Sequence, residues 1–259
     1  MTEEKGLSGG TGLPASIEAA WGLRARPVKG PKPGLSLARI VDAAVAVAAS
    51  EGLGGVSMGR VAKELGASTM SLYRYVSAKG ELYVLMQEAA MGPPPPLPAP
   101  EGGAGWRETL TQGAWAQRRV FHRNLWMLRI PVSGLPASPN SLAWWEQGLR
   151  ALEGAGLDAG EEVSVILLVN GFVRNEALLA GDLAAAVEAR GIPAQEVRDG
   201  YTRTLNRLVD PVRHPALSRL VESRALATPR EPEDEFGFGL ERVLDGIEAL
   251  VEARARSRA

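Results

Sequence analysis

Apolar residues recur at helical spacing in the first third of this chain. Over residues 36–50 they form one wide face, and the same spacing predicts two shorter helices that begin after Ser57 and after Ser68. Gly52 and Gly66 stand where the first two helices are expected to end. Residues 57–82 therefore predict a helix, a tight turn, a helix, a second tight turn and a further helix, which is helix-turn-helix spacing.

Hydroxyl side chains mark the expected helix starts. Ser57 caps the first helix of this unit, and Ser68 or Thr69 caps the second. Ser77 is expected to cap a third helix, whose first turn carries Lys79 beside the positive pole of that helix, where a phosphate oxygen is stabilised. The residues predicted to share one small core are Ile40, Val41, Ala44, Val45, Val47, Ala48, Val61, Ala62, Leu65, Leu72 and Val76.

The rest of the chain shows helical periodicity and no strand-like alternation. The expected helices are 106–128, 140–154, 160–189, 194–209, 216–224 and 233–255, interrupted by Pro-containing turns at 130–139, 191–193 and 211–215. The predicted fold is therefore all-α, with an N-terminal three-helix helix-turn-helix domain and a C-terminal helical domain.

Composition places the domain boundaries. Residues 1–34 are rich in Gly, Pro and charge and are predicted to be a largely disordered N-terminal arm, residues 35–91 the helix-turn-helix domain, residues 92–105 a Pro/Gly-rich linker, and residues 106–259 the C-terminal domain. The basic run 24–32 within the arm fits either a contact with phosphates or an adjacent minor groove, or a solvated tail.

Charge and cysteine usage narrow the class of protein. Residues 24–79 carry nine Lys or Arg against three acids, a net charge of +6, although the whole chain carries −1. A basic segment on an acidic body is typical of a DNA-binding module. The chain has no Cys, which excludes disulfides and thiolate chemistry and suits the cytoplasm. No apolar run approaches the length of a membrane span, so no membrane partner is expected.

The second helix of the helix-turn-helix exposes hydroxyls, aromatics and one cation, and no acid. We expect Thr69, Met70, Ser71 and Tyr73 to lie near base edges, with Ser57, Tyr75 and Lys79 on phosphates. Ser68, at the start of the helix, belongs to the same surface, and Arg74 either contacts phosphate or points to solvent.

At these residues the sequence resembles the TetR family of bacterial transcriptional repressors. The residues that match the family's pattern, over roughly 35–90, are Val56, Ser57, Val61, Ala62, Leu65, Gly66, Leu72, Tyr73, Tyr75, Val76, Lys79 and Leu82. Residues 70–76 look most like the tetracycline-repressor branch, and Ser57 is a departure because the family more often has Thr there. The resemblance implies a homodimer whose C-terminal domain serves ligand binding and dimerisation, and which releases a pseudo-palindromic operator in double-stranded DNA when a small-molecule effector binds.

Aromatic residues of the C-terminal domain suggest where such a ligand would bind. The expected pocket residues are Trp115, Phe121, Trp126, Met127, Trp144, Phe172 and Asn175. Ordinary core packing is the alternative for each of them. Asn170, Arg174 and Glu176, polar residues within an apolar helix, are expected either to orient a ligand or to bind one another across a dimer.

Two long apolar helices suggest a dimer interface. Residues Val163–Ala180 and Leu240–Val251 each line one side of a helix with small and branched side chains, and two such helices per subunit can form a four-helix interface. The alternative is that both faces belong to the subunit's own core.

An enzymatic function is not supported by the residues. Tyr75 and Lys79 have the Tyr-x-x-x-Lys spacing of short-chain dehydrogenases, but no strand or glycine-rich nucleotide motif accompanies them. Only two histidines, His122 and His214, are present, so neither a metal site nor a cofactor is expected. The prediction is a ligand-responsive repressor, with a constitutive DNA-binding regulator as the alternative.

Overall fold

The computed structural model describes residues 13, 15–23, 35–97, 105–132, 137–226 and 231–258. These residues form α-helices and one 3₁₀ helix and contain no strand, as expected for an all-α fold. The basic run 24–32 and residues 98–104 of the predicted linker lie outside them. The elements are α1 (Ala15–Ala20), α2 (Leu37–Gly55), α3 (Met58–Glu64), α4 (Thr69–Tyr73), α5 (Lys79–Met91), α6 (Trp106–Arg123), the 3₁₀ helix (Leu125–Arg129), α7 (Pro139–Leu152), α8 (Ala159–Glu188), α9 (Ala194–Leu208), α10 (Pro215–Glu222) and α11 (Pro232–Arg258).

Helices α2 to α5 form the N-terminal domain around the predicted core. Ser36 caps α2, and Gly52, with φ of 73°, breaks the helix one turn before its end. Leu72 and Val76 are fully buried in this core, while Val45 and Leu65 are only partly buried. Because Gly66 adopts the left-handed region, with φ of 61°, the chain turns sharply between α3 and α4.

A short helix occupies part of the segment predicted to be disordered. Helix α1 packs against α5, and the indole nitrogen of Trp21 donates to the carbonyl oxygen of Ala137 at 2.8 Å. Glu18 is buried. Six residues are too few to form a stable helix alone, so α1 depends on tertiary contacts that leave no periodic signal in the sequence.

The C-terminal helices begin and end close to their predicted bounds, with one exception. The helix predicted over 106–128 ends at Arg123, and a separate 3₁₀ helix follows. Asn124 leaves helical geometry with φ of −136°, and its side-chain amide donates to the carbonyl oxygen of Val120 at 3.1 Å. Side-chain capping by Asn therefore ends a helix that apolar periodicity alone would continue.

Helix α7 is bonded to the end of α5 and to the residues that follow it. The backbone N–H of Asn140 donates to the Glu88 carboxylate at 2.8 Å, and the indole nitrogen of Trp144 donates to the carbonyl oxygen of Gly92 at 3.0 Å. Gln147 reaches the carbonyl oxygen of Pro95 at 2.6 Å. The described part of the predicted linker is thus fastened to the C-terminal domain along one side of α7.

Helix α8 is long and apolar enough to cross a membrane by length and composition alone. Its 30 residues include an 18-residue window of mean hydropathy 1.5, of which 28% is buried. The expectation that no apolar run approaches such a length is therefore wrong. The same helix contributes Val165, Val169, Val173 and Ala177 to the protein core.

Candidate nucleic-acid interface and small-molecule cavity

Serine side chains cap the two helices of the helix-turn-helix. The Ser57 hydroxyl accepts from the backbone N–H of Arg60 at 3.1 Å, and the Ser68 hydroxyl accepts from that of Ser71 at 3.2 Å. The Ser68 and Ser71 hydroxyls also lie 2.8 Å apart. These bonds satisfy donors at the helix starts, and Ser57 keeps its own hydroxyl hydrogen for a further acceptor.

The outer face of α4 presents the side chains expected to read bases. Met70 is 75% exposed and Tyr73 is 45% exposed, whereas Leu72 between them is fully buried. Thr69 and Ser71 are half-buried at the start of the helix. Exposed apolar and aromatic groups here are unfavourable in water, which is consistent with a surface that meets a partner.

Tyr75, which is predicted to contact phosphate, makes a hydrogen bond inside the domain. It is half-buried, and its hydroxyl donates to the carbonyl oxygen of Leu35 at 3.0 Å. The bond fastens the chain after α4 to the start of α2. Since its hydroxyl hydrogen is engaged inside the domain, Tyr75 helps to hold the end of α4, the candidate recognition helix, in place.

The start of α5 differs slightly from the sequence prediction. The cap residue is Ala78, not Ser77, and it makes no side-chain cap bond. The backbone N–H and the hydroxyl of Ser77 both donate to the Glu81 carboxylate, at 2.7 and 2.6 Å. Lys79 remains exposed in the first turn, with its Nζ 5.3 Å from the centre of the Tyr83 ring. A cation is therefore available beside the helix N-terminus.

Basic residues of this domain differ in how far they are neutralised. Arg60 binds the carboxylates of Glu64 and Glu51, and these hydrogen bonds raise the pKa of its guanidinium. The other Lys and Arg residues that the structure describes within residues 24–79 are exposed on the same domain. They are Arg39, Lys63, Arg74 and Lys79.

The aromatic residues expected in one pocket are spread over three environments. Trp115 meets Phe236 edge to face at 4.6 Å between ring centres, and Phe172 stacks on Phe236 at 5.3 Å. The buried guanidinium of Arg118 lies over Phe236 and donates to Glu176 at 3.0 Å. These rings pack together in the core between α6, α8 and α11.

The other expected pocket residues also separate. Phe121 and Met127 are buried in the core, and Trp126 lines a cleft next to α2. Asn175 is exposed on α8. Of the seven, only Trp144 lines a cavity formed by α6, α7 and α8, so the predicted set does not lie together around one cavity in this structure. Apolar periodicity does not reveal the helix break at Asn124, which separates Trp126 and Met127 from α6.

That cavity lies between α6, α7 and α8 and has a volume of about 70 Å³. The Oδ1 atom of Asn170 is buried there and has no donor among the described residues. The lining residues are Leu97, Thr109, Leu110, Gly113, Ala114, Gln117, Trp144, Trp145, Gln147, Gly148, Ala151, Ile166, Val169 and Asn170. Asn170 was visible in the sequence as a polar residue in an apolar helix. Two other polar residues of this helix bind groups of the protein. The Glu176 carboxylate binds Arg118 and His122, and Arg174 donates to the carbonyl oxygen of Leu128.

The predicted dimer faces are partly core. Leu240, Leu244 and Ile247 are buried within the single chain, as are Val169 and Val173. The exposed side of α8 instead carries a row of residues at spacings of three and four. These are Leu168, Gly171, Asn175, Leu179 and Leu183, and α11 beside it exposes Phe238, Gly246 and Ala249. Exposed apolar side chains in such a row are typical of a surface that meets a partner.

Among the described residues, no group of three or more His, Asp or Glu side chains is placed to hold a metal ion.

Residues 40–86 match the family described as bacterial regulatory proteins, tetR family, and residues 97–251 match the tetracyclin repressor-like C-terminal domain.

Relatives with known descriptions match nearly the whole chain. The HTH-type transcriptional repressor DrrR1 of Streptomyces coeruleorubidus is 37% identical over 247 residues, which cover 95% of this chain and 90% of that protein. The crystal structure of the Streptomyces coelicolor TetR family protein ActR in complex with actinorhodin superposes with a TM-score of 0.70 at 26% identity, over 85% of this chain and 97% of that one. ActR in complex with (S)-DNPA gives 0.67 at the same identity, over 86% and 100%. The chain belongs to the TetR family of bacterial transcriptional regulators, and it is a dimeric DNA-binding protein, not an enzyme.

Proposed function

We propose that this protein is a cytoplasmic repressor that leaves its operator when a largely apolar aromatic molecule enters the cavity between α6, α7 and α8. Two copies of α4, one from each subunit, would enter successive major grooves about 34–36 Å apart on a pseudo-palindromic site. Exposed α4 with its capped start and the surrounding cations support this arrangement.

The DNA contacts divide by chemistry. Thr69, Met70, Ser71 and Tyr73 lie on the outward side of α4 and are proposed to meet base edges. Ser57 and Lys79, at the starts of α3 and α5, are proposed to hold phosphates, together with Ser68 and Arg74 at the two ends of α4. Tyr75 acts indirectly, through its bond to Leu35.

The cavity in this conformation is too small for an effector. A volume of about 70 Å³ is close to that of two water molecules at roughly 30 Å³ each, whereas small-molecule sites usually occupy about 300–1,000 Å³. An effector must therefore displace wall residues. Two neighbouring indoles, Trp144 and Trp145, form part of the wall and suit a flat aromatic molecule, and actinorhodin is bound by the relative ActR. The buried Oδ1 of Asn170 would accept one hydrogen bond from it.

The hydrogen bond from Trp144 to Gly92 is the observation that best supports this proposal. The Trp144 ring lines the cavity while its indole nitrogen holds the carbonyl oxygen directly after α5. Helix α5 in turn packs against α2 in the DNA-binding domain. A molecule that moves Trp144 therefore acts on the position of α5, and it favours whichever arrangement of the two recognition helices accommodates that movement.

The test separates effector binding from its transmission. An operator is first selected from random duplexes, and its affinity is measured by fluorescence anisotropy with actinorhodin and other flat aromatic compounds. An active compound should weaken operator binding by about 5- to 150-fold. Trp144→Phe keeps a ring in the cavity wall but removes the donor to Gly92, so it should still bind the compound and lose most of this response.

Trp145→Phe is the matched control, because it makes the same chemical change on the same wall, where its indole donates to no acceptor among the described residues. This variant should respond as the parent does. If no compound that binds the protein changes operator affinity, the chain is a constitutive regulator and the effector half of the proposal is wrong.

A further inference from the structure

A second and larger opening lies between the two domains. It is a cleft of about 370 Å³ whose walls come from the end of α2, the end of α6, the 3₁₀ helix and α8. It shares no lining residue with the cavity at Trp144. The lining residues are Ala48, Ala49, Gly52, Leu53, His122, Arg123, Leu125, Trp126, Arg129, Leu178, Gly181, Asp182 and Ala185.

Most of the cleft wall is apolar, and one buried polar group in it lacks a hydrogen-bond partner among the described residues. Leu53, Leu125 and Leu178 contribute aliphatic side chains from three different elements. Trp126 is 6% exposed, and its indole nitrogen is buried with no acceptor among the described residues. A buried donor of this kind costs free energy until an acceptor reaches it.

The charges at the rim leave one cation uncompensated. Arg129 is paired with Asp182, and His122 binds the Glu176 carboxylate at 3.0 Å. Arg123 is exposed and has no ion-pair partner within the described part of the chain. The cleft therefore combines an aliphatic interior, an unsatisfied N–H and one positive charge.

We propose that this cleft is a second small-molecule site, specific for flat aromatic carboxylates. The ring system would lie against Leu53, Leu125 and Leu178, and the carboxylate would accept from Arg123 and from the Trp126 N–H. Charge-assisted hydrogen bonds make the carboxylate the recognised group. The volume lies within the range of about 300–1,000 Å³ usual for small-molecule sites.

Its position gives the site a consequence for DNA binding. Helix α2 and the 3₁₀ helix pack against each other beside the cleft and form a contact between the two domains. A ligand wedged there biases the orientation of the DNA-binding domain independently of the Trp144 cavity. This consequence rests on the proposed function, but binding to the cleft does not.

The experiment uses the full-length dimer labelled with 5-fluorotryptophan. Its fluorine NMR signals for Trp126 and Trp144 are assigned from Trp126→Phe and Trp144→Phe. Titration with 2-naphthoate should shift the Trp126 signal saturably, and the uncharged 2-naphthamide should bind at least about tenfold more weakly. Arg123→Gln should remove that preference, whereas Arg119→Gln, the same change on an exposed arginine of α6 outside the cleft, should retain it.

Two results overturn the proposal. If 2-naphthoate shifts only the Trp144 signal, its site is the cavity and not the cleft. If the Trp126 signal stays unchanged up to the solubility limit, the cleft holds only water. Failure of the proposed function looks different, because it appears as a bound Trp144 cavity with unchanged operator affinity, whatever the Trp126 signal does.

Discussion

The hydroxyl of Tyr75 donates to the carbonyl oxygen of Leu35 at 3.0 Å and thereby joins the end of the recognition helix to the start of α2, 40 residues earlier. Tyr75→Phe should lower the free energy of unfolding by about 0.5–1.5 kcal/mol, the usual contribution of one hydrogen bond. Operator affinity should fall with no change in its salt dependence, because no phosphate contact is lost. Tyr73→Phe, on an exposed side chain, should leave stability unchanged. If the Tyr75→Phe protein kept its full stability and its affinity depended less steeply on salt, the predicted phosphate contact of Tyr75 would be supported instead.

Base reading and phosphate binding should separate in two other variants. Lys79→Ala should weaken binding to all duplexes similarly and reduce the slope of affinity against salt by about one per subunit. Thr69→Ala should lower affinity for the operator more than for an unrelated duplex, because a base contact is lost. Anisotropy titrations at several salt concentrations distinguish the two. Equal loss of discrimination in both variants would contradict the division of roles.

The helix-turn-helix could be predicted from the sequence because the residues that determine it lie close together along the chain. Ser57, Gly66 and the apolar spacing around Leu72 each act within one or two helical turns. The cavity is different, since its wall combines α6, α7 and α8, and which side of each aromatic faces inward depends on how these helices cross. Trp115 and Trp144 have similar sequence environments, yet one packs on Phe236 and the other lines the cavity.

The dimer interface shows the same limit. Apolar periodicity identified α8 and α11 but could not say which apolar side faces the subunit's own core. Leu244 is fully buried within the single chain, whereas Leu179 is 56% exposed. Intramolecular and intermolecular burial impose the same pattern on a sequence, so only the packed chain separates them.

Two glutamate variants test this assignment. Leu179→Glu places a charge on the exposed row of α8 and should dissociate the dimer while each subunit stays folded, because the carboxylate would otherwise be buried unpaired between subunits. Leu244→Glu places it in the subunit core and should unfold the protein. Sedimentation velocity and circular dichroism report the two outcomes separately. A folded, fully dimeric Leu179→Glu protein would move the interface to another surface.

Acidic pH should loosen the contact between α6 and α11. The Arg107 guanidinium, and then that of Arg242, hold the pKa of Asp245 below its ordinary value of 3.8. Because the folded pKa is lower than the unfolded one, the stabilisation is present above about pH 4 and is lost as the pH falls through the folded pKa. Asp245→Asn should therefore flatten the fall in melting temperature between about pH 4 and pH 2. The difference should be small and shrink in 1 M salt, since the groups are exposed. Parallel melting curves of both proteins over this range would contradict the assignment.

Two glycines of α11 that lie two residues apart should respond oppositely to alanine. A Cβ at Gly239 would lie 2.7 Å from two atoms of the Phe172 ring, which is stacked on Phe236 and cannot retreat freely. Overpacking of this kind costs about 1–3 kcal/mol, more than the gain of at most about 1 kcal/mol from replacing a helical glycine. At Gly237 the nearest atom, on Trp115, is 3.9 Å away, an ordinary contact. Gly239→Ala should therefore lower the melting temperature and Gly237→Ala should raise it, compared at one protein concentration. If both variants were stabilised, the ring of Phe172 would have room to move, and the core between α8 and α11 would be less tightly packed than its distances indicate.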